Sequence, residues 1–464
     1  MDPESYVRSC LPAHAVVTGA ILSAAAGEAY DGVDRISALT DDILRIIVSR
    51  LPIKDAVSTT VLSKRWVRLW SSVPLVFYDE QLSTSPESTR VAAVDCILSR
   101  HPGPFLAVHI SSIEFSQRHL KEWPPLLVDK CVEDLVFVGL RRSFSLTLPA
   151  SILSCTNLRS PSGVGTFPHL EELVILNCAI NQDILNYILD SSPMLKVFSL
   201  VLIHELPLTV RLRGQNLQCV NLCCFMGSEI SVSAVPCLER ILAWMALPPL
   251  NSGGILKVAI DAAPKVLGYM DAGAHLLQIG EIIVKKGTDV RPSTKVWSVR
   301  ILALKVNFGV LAQLKVMTCW LRCFPNVEIL HIESATLNLP SDQHTEFYEE
   351  LDLIGCVQSQ IKKVVLHDFR CSQSELSFLK YILKTANRLD SVTLVQAENS
   401  GGAMDTQLND LAVLHWGCQA CSISLLAPRQ FYGWNFRRAS DLSIEDPFDL
   451  VHGKEVSHFS KDFK

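Results

Sequence analysis

Two hydrophobic periods divide this chain. From Asp34 to Val76 apolar residues recur at helical spacing. Ile43, Ile47 and Leu51 repeat every four residues with Leu44 and Val48 beside them, which predicts a helix with one broad apolar stripe. Thr40 stands at its N-cap, and Asp41 and Asp42 put negative charge in the first turn, where the helix dipole favours it. Leu51-Pro52 ends it, because the residue before a proline is pushed out of helical geometry. A second helix is expected from Ile53, exposing Ala56, Val57, Val61 and Leu62. A third carries Trp66, Val67, Leu69 and Trp70 among Lys64, Arg65 and Arg68. Three short helices cannot bury this much apolar surface against one another, so part of it should face a partner.

Beyond residue 90 the pattern becomes L-x-x-L-x-L-x-x-N/C, one strand per unit with a helix or loop returning to the next strand. The clearest copy is Leu170-x-x-Leu173-x-Ile175-x-x-Cys178. Others start at Phe105 (then Val108, Ile110), Val132 (Leu135, Phe137), Leu195 (Phe198, Leu200), Leu217 (Val220, Leu222) and Leu238 (Ile241, Ala243). Later copies start at Val299 (Leu302, Leu304, Asn307), Val327 (Leu330, Ile332), Ile361 (Val364, Leu366) and Leu389 (Val392, Leu394). Starts from 170 to 238 lie 25, 22 and 21 residues apart and the later ones 28 to 34, so the returns vary. Leu158-x-x-Pro161 falls too close to Leu170 for a full unit, and only a poor copy at Val266-x-x-Tyr269 fills the gap before Val299. The expected fold class is α/β: a three-helix N-terminal segment followed by an irregular leucine-rich-repeat solenoid, a ragged horseshoe whose units cover one another's apolar faces.

In such strands the template positions point inward and the intervening ones line the concave sheet. These are Glu171, Glu172, Lys196, Gln218, Asn221, Glu239 and Arg240, then Arg300, Glu328, His331, Lys362, Lys363, Asp390 and Thr393. They are the candidate target-binding residues. Their charges alternate in sign, where a phosphate backbone would favour a run of Lys and Arg. A protein or small-molecule partner fits better than nucleic acid.

The helical segment resembles an F-box. The likeness rests on Leu39-x-Asp41-Asp42-Ile43-Leu44, Ile47, Leu51-Pro52, Ala56, Val61-Leu62-Ser63, Arg65-Trp66 and Leu69-Trp70, with Thr40 where that family usually has proline. The resemblance implies docking on a Skp-family adaptor, and through it a cullin, by Leu39, Ile43, Leu44, Ile47, Leu51, Pro52, Val61, Leu62, Arg65, Trp66, Leu69 and Trp70. Towards the C-terminus, Tyr348-Glu349-Glu350-Leu351, Ile354-Gly355-Cys356-Val357, Ile361 to Leu366, Glu375-Leu376-x-Phe378-Leu379-Lys380 and Leu383 resemble the FBD segment of plant F-box proteins. Ala439 to Phe448 is similar to the ending of grass members of that group. The implied organisation is a flexible leader (1–33), the F-box-like region (34–79), a polar linker (80–89), the repeats (90–345), the FBD-like segment continuing them (346–450) and a tail (451–464). The implied function is the substrate-recognition subunit of an SCF-type (Skp-cullin-F-box) ubiquitin ligase. The alternative is a non-catalytic repeat scaffold or ligand receptor outside any ligase.

Composition narrows this further. Of 464 residues 48% are hydrophobic, which excludes wholesale disorder, and the net charge of −5 argues against general nucleic-acid or anionic-membrane binding. The basic residues beside Trp66 and Trp70 are too few for a nucleic-acid face. Fifteen irregularly spaced cysteines and no Asn-x-Ser/Thr sequon suit a reducing compartment, so a cytoplasmic or nuclear location is expected. Residues 9–27 lack charge and Ala24-Ala25-Ala26 resembles a cleavage site, but Asp2 and Glu4 outnumber Arg8, so a leader is expected with a targeting segment the alternative. No stretch there is long enough to span a bilayer.

Candidate chemistry is sparse. There is no phosphate-binding loop, HExxH or GxSxG, and His204-Glu205 is followed by Leu-Pro. Cys418-x-x-Cys421 with His415 lacks the second ligand pair of a zinc site, and Ser422 to Leu425 reads as strand, where a redox CxxC wants a helix. These cysteines, like Cys219, Cys223 and Cys224, read as structural. No enzyme activity, cofactor or metal is expected.

Overall fold

The computed structural model describes residues 34–49, 51, 53–82, 86–111, 113–128, 130–138, 167–176, 180–201, 209–223, 229–232, 235–244, 256–260, 263–335, 346–397, 421–428, 439–449 and 455–460. The fold is mixed α/β and divides into two compact units, Met1–His204 and Glu205–Lys464. Leu158-x-x-Pro161, Cys178, His204-Glu205, Cys224, His415 and Cys418 fall outside the described residues.

The first unit begins with helices α1 (Asp41–Ser49), α2 (Ile53–Ser58) and α3 (Lys64–Ser72). The Ser63 hydroxyl accepts the Arg65 N–H and so caps α3. Leu44, Val48, Ile53, Ala56, Trp66 and Leu69 form a small core between the three. There follow β1 (Leu75–Tyr78), α4 (Glu87–Arg100), β2 (Phe105–Ile110), α5 (Gln117–Val128), β3 (Asp134–Val138), β4 (Glu172–Leu176), α6 (Gln182–Ser191) and β5 (Val197–Val201). Glu87 to Thr89, expected as linker, instead make the first turn of α4. Strands β1 to β5 pair in chain order, all parallel.

In the second unit β7 (Cys219–Cys223), β9 (Arg240–Trp244), β11 (Val266–Asp271), β14 (Ile301–Val306), β15 (Ile329–Ser334), β16 (Lys363–Phe369), β17 (Ser391–Gln396) and β18 (Ser422–Leu426) form one parallel run, closed by antiparallel β19 (Glu455–Ser460). Helices α7 (Leu311–Cys323), α8 (Gly355–Ser359) and α9 (Gln373–Thr385) make the later returns. The earlier returns are strands: β6 (Thr209–Leu212), β8 (Glu229–Val232), β10 (Leu256–Ile260) and β12 (His275–Ile279) pair in parallel, with β13 (Ile282–Val284) antiparallel at the edge. Their alternating, Val- and Ile-bearing segments suit a half-buried strand better than a helix.

Each expected repeat start leads into a strand, and its template side chains are buried, as for Leu302, Leu304, Leu330 and Ile332. The unit at Val266 is shifted from the expected register. Leu267 pairs with Ile241 and Leu302, so the leading template position falls on buried Pro264. A bulge then places Met270, and not Tyr269, opposite Leu304. Proline in a leucine position hid this unit from the pattern.

Candidate functional site

The first candidate surface lies on the N-terminal helices. Arg65 fastens them: Nε donates to Asp41 Oδ1 at 2.7 Å, while its terminal nitrogens donate to the carbonyls of Ser37 and Leu39. Trp70 packs edge-on against His101, a buried ring whose pKa falls to about 4 because burial disfavours its charged form. On α1, Leu44 and Val48 face the core while Ile43, Ile46 and Ile47 are exposed. Val57 and Val67 are exposed too, and Val61 (84% exposed) and Leu62 (64%) project from the α2–α3 connection.

This redistributes the expected adaptor-facing set. Leu44, Trp66 and Leu69 are core residues, Arg65 is committed to an internal clasp, and Leu39, Leu51 and Trp70 are half-buried. Pro52 lies outside the described residues. Ile43, Ile47, Val61 and Leu62 remain at the surface, and Ile46, Val57 and Val67 join them. The helical period carried the signal. The apolar stripe is too wide for one buried face, and Ile43 and Ile47 belong to its outer half.

The second candidate surface is the repeat sheet. In several repeats the residue just before the strand donates its N–H to the carbonyl of the residue just before the preceding strand, as in Glu328 to Arg300 and Lys362 to Glu328. Side chains at this position pair along the ladder: Lys196 with Glu171 (2.7 Å) in the first unit, Lys265 with Glu239 (3.0 Å) in the second, and Glu328 with both Arg300 (3.0 Å) and Lys362 (2.7 Å). The alternation of charge visible in the sequence is therefore used between neighbouring repeats. Gln218 and Thr393 are half-buried, and Asp390 is exposed.

Four other expected target-binding residues, Asn221, Arg240, His331 and Lys363, are not free. Asn221, Arg240 and His331 are buried, the last two beneath residues 439–449 of the same chain. The Arg240 guanidinium donates to the carbonyls of Ala439 (3.0 Å), Asp441 (2.9 Å) and Ile444. Cys219 Sγ also donates to Ala439 O. His331 Nε2 lies 3.1 Å from Asp446 Oδ2, with its Nδ1 3.3 Å from His367 Nε2. Lys363 Nζ reaches Asp449 Oδ1 at 2.6 Å. Phe448 is fully buried, edge-on to Tyr269 and His331. It sits against Gly268, where an added Cβ would lie 2.6 Å from the Phe448 ring. Burial alone would raise the Asp446 carboxyl, but the His331 hydrogen bond and the charges of His331 and Lys363 hold it below the usual range.

Glu172 meets a different fate. Its Oε1 is out of water with no hydrogen-bond partner, and Asp134 is its neighbour on β3. Burial, then the Asp134 charge, pushes Glu172 up to about 8; burial with the charges of Glu133 and Glu171 lifts Asp134 to about 6. Cys421 is buried at the start of β18. Among the described residues no three His, Cys, Asp or Glu side chains gather to hold a metal, and no helix is long and apolar enough to cross a membrane.

Helices followed by parallel repeat strands define the general class, and comparison with known proteins places it. Residues 36–78 match the F-box domain, residues 120–332 the LRR repeats of FBD-associated F-box protein At5g56370, and residues 349–394 the FBD. The chain is similar to the putative FBD-associated F-box protein At5g56440 of Arabidopsis thaliana, 23% identical over 448 residues covering 84% of this chain and 99% of that protein. It is 22% identical to the F-box/FBD/LRR-repeat protein At3g14710 of Arabidopsis thaliana over 412 residues, 78% of this chain and 88% of that one. It is 36% identical to the F-box/FBD/LRR-repeat protein At5g56420 of Arabidopsis thaliana over 131 residues, 27% of this chain and 31% of that protein. The chain belongs to the plant F-box/FBD/LRR-repeat family.

Proposed function

We propose that this protein is the substrate-recognition subunit of an SCF-type ubiquitin ligase. Its N-terminal helices bind a Skp-family adaptor, which brings the cullin, and its repeats hold a target. It performs no bond chemistry itself. It raises the effective concentration of target lysines near the ubiquitin carrier. The repeats are read as a solenoid curved into a horseshoe, because each strand pairs in parallel with the next repeat's strand within a unit.

The observation that carries this reading is the concentration of exposed apolar side chains, Ile43, Ile46, Ile47, Val57, Val61 and Leu62, within the segment that matches the F-box. Exposed apolar side chains gathered in one short segment are the mark of a surface that a partner covers. The test replaces Val61 and Leu62 by Asp. Both side chains are largely exposed, so the change leaves the fold intact, whereas Trp66→Ala would hollow out the core. We expect adaptor and cullin to co-purify with the unaltered chain and to be lost with Val61→Asp/Leu62→Asp at unchanged melting temperature. Failure of the unaltered chain to capture the adaptor would leave a scaffold or ligand receptor as the reading.

A further inference from the structure

Residues 439–449 cross the sheet of the second unit on the face opposite the buried leucines. They meet β7 at Cys219, β9 at Arg240, β11 at Gly268 and Tyr269, β15 at His331 and β16 at Lys363. We propose that this face is a docking site for acidic segments bearing one aromatic side chain, and that residues 439–449 fill it in cis as a stand-in for such a segment of a target protein. The inference rests on the substrate-receptor reading only in taking the occupant to be a target.

Three features make the face a receptor and more than a covered surface. The first is the ring pocket. Gly268 lies inside a strand, where glycine weakens the strand and gives no side chain to pack. The room it leaves is taken by Phe448, and any side chain at 268 would close it. The second is charge. His331 and Lys363 present donors to Asp446 and Asp449, which flank Phe448 at an Asp-x-Phe-Asp spacing. The third is Arg240, whose guanidinium donates to three backbone carbonyls of the strap that residues 439–449 form. Another segment turned in the same way, as residues 441–444 are by the bond from the Ile444 N–H to the Asp441 carbonyl, brings the same carbonyls, so exchange leaves this buried guanidinium satisfied. The strap is self-shaped in addition: Asp441 Oδ1 accepts from Ser443 N and Oγ, and Asp446 Oδ1 accepts from Phe448 N.

A segment tethered in cis acts at a millimolar effective concentration, so it masks the face from weaker ligands. Only a target of the same chemistry, presented at high local concentration or with further contacts, displaces it.

The test uses a fluorescein-labelled peptide with the sequence of residues 439–449 and the full chain. One preparation is unaltered; the other carries Phe448→Ala with Asp446→Asn, which weakens the strap in cis. We expect the variant to bind the peptide saturably and at least about tenfold more tightly than the unaltered chain. Adding Lys363→Glu should weaken that binding about tenfold, and a peptide with Ala in place of Phe448 and Asp446 should not bind. If the double variant does not give a cooperative thermal transition, Phe448→Leu carries the same comparison. Binding to neither chain, or binding indifferent to Lys363 and to the peptide's aromatic residue, would make the strap a fixed structural element and overturn the proposal. Adaptor capture is measured on the same preparations. Capture without peptide binding defeats this inference alone, and peptide binding without capture defeats the ligase reading alone.

Discussion

At the scale of single residues, two positions show stability given up for a local arrangement. Gly268 admits the Phe448 ring, and a Cβ there would also lie 2.9 Å from that of Ala303. Gly268→Ala therefore overfills a closed space and should destabilise the protein by about 1–3 kcal/mol in urea unfolding. The loss should shrink when Phe448→Ala is added, since the ring is what the methyl meets; strictly additive effects would show that the two do not interact. Glu172 is the second case. Its carboxyl titrates near 4.5 when free and is pushed up to about 8 by burial and by Asp134. The folded protein thus keeps a proton that the unfolded chain releases, and stability is lost as the pH rises from about 4.5 to 8. Glu172→Gln keeps the shape without the titration. Its urea midpoint should match the parent near pH 5 and exceed it at pH 8, by a difference on the order of 2 kcal/mol. Equal midpoints at both pH values would mean that Glu172 ionises freely.

At the scale of elements, the strands were legible because each repeats the same obligation: three apolar template positions per strand, all buried, whatever lies between them. The returns were not legible, since a loose L-x-x-L-x-L says nothing about how the chain comes back, and among the described residues four of them proved to be built of strands. The position of His331 and Arg240 on the sheet face followed from period-two alternation. That a segment 115 and 199 residues further along lands on them did not, because no local pattern encodes so distant a contact. The start of α9 shows how a helix cap is tied into the core. Ser372 accepts from Glu375 N while Glu375 Oε2 accepts from Ser372 N at 2.7 Å. The same buried carboxylate accepts from the Ser334 hydroxyl at the end of β15 at 2.6 Å. Glu375→Ala should accordingly cost about 2–3 kcal/mol, more than the ~1 kcal/mol of Ser372→Ala, which removes a cap alone. Equal losses in chemical denaturation would show that the link to β15 contributes nothing.

Across the whole molecule the regular device is the charge ladder at the repeat edges, present in the first unit as Glu171–Lys196 and in the second as Arg300–Glu328–Lys362. Alternating signs in successive repeats are what such stacking asks for, because each side chain sits beside its counterpart in the next strand. Glu328 holds the centre of the longer run, and its carboxyl stays below the usual range chiefly through the Lys362 hydrogen bond, with the charges of Lys362 and Arg300 acting the same way. These groups are largely exposed, so each pair is worth only ~0.2–1 kcal/mol and is screened by salt. Glu328→Lys would put a further cation between Arg300 and Lys362. It should lower stability by about 1 kcal/mol at low ionic strength, and less in 0.5 M salt. Restoring alternation by adding Arg300→Glu and Lys362→Glu should return most of the loss, although every charge in the run is then inverted. Thermal unfolding of the single and triple variants at two salt concentrations decides the matter. If the triple variant is no better than the single one, the charges act through some other partner than their neighbours in the ladder, and the alternation read from the sequence must be explained by what binds there.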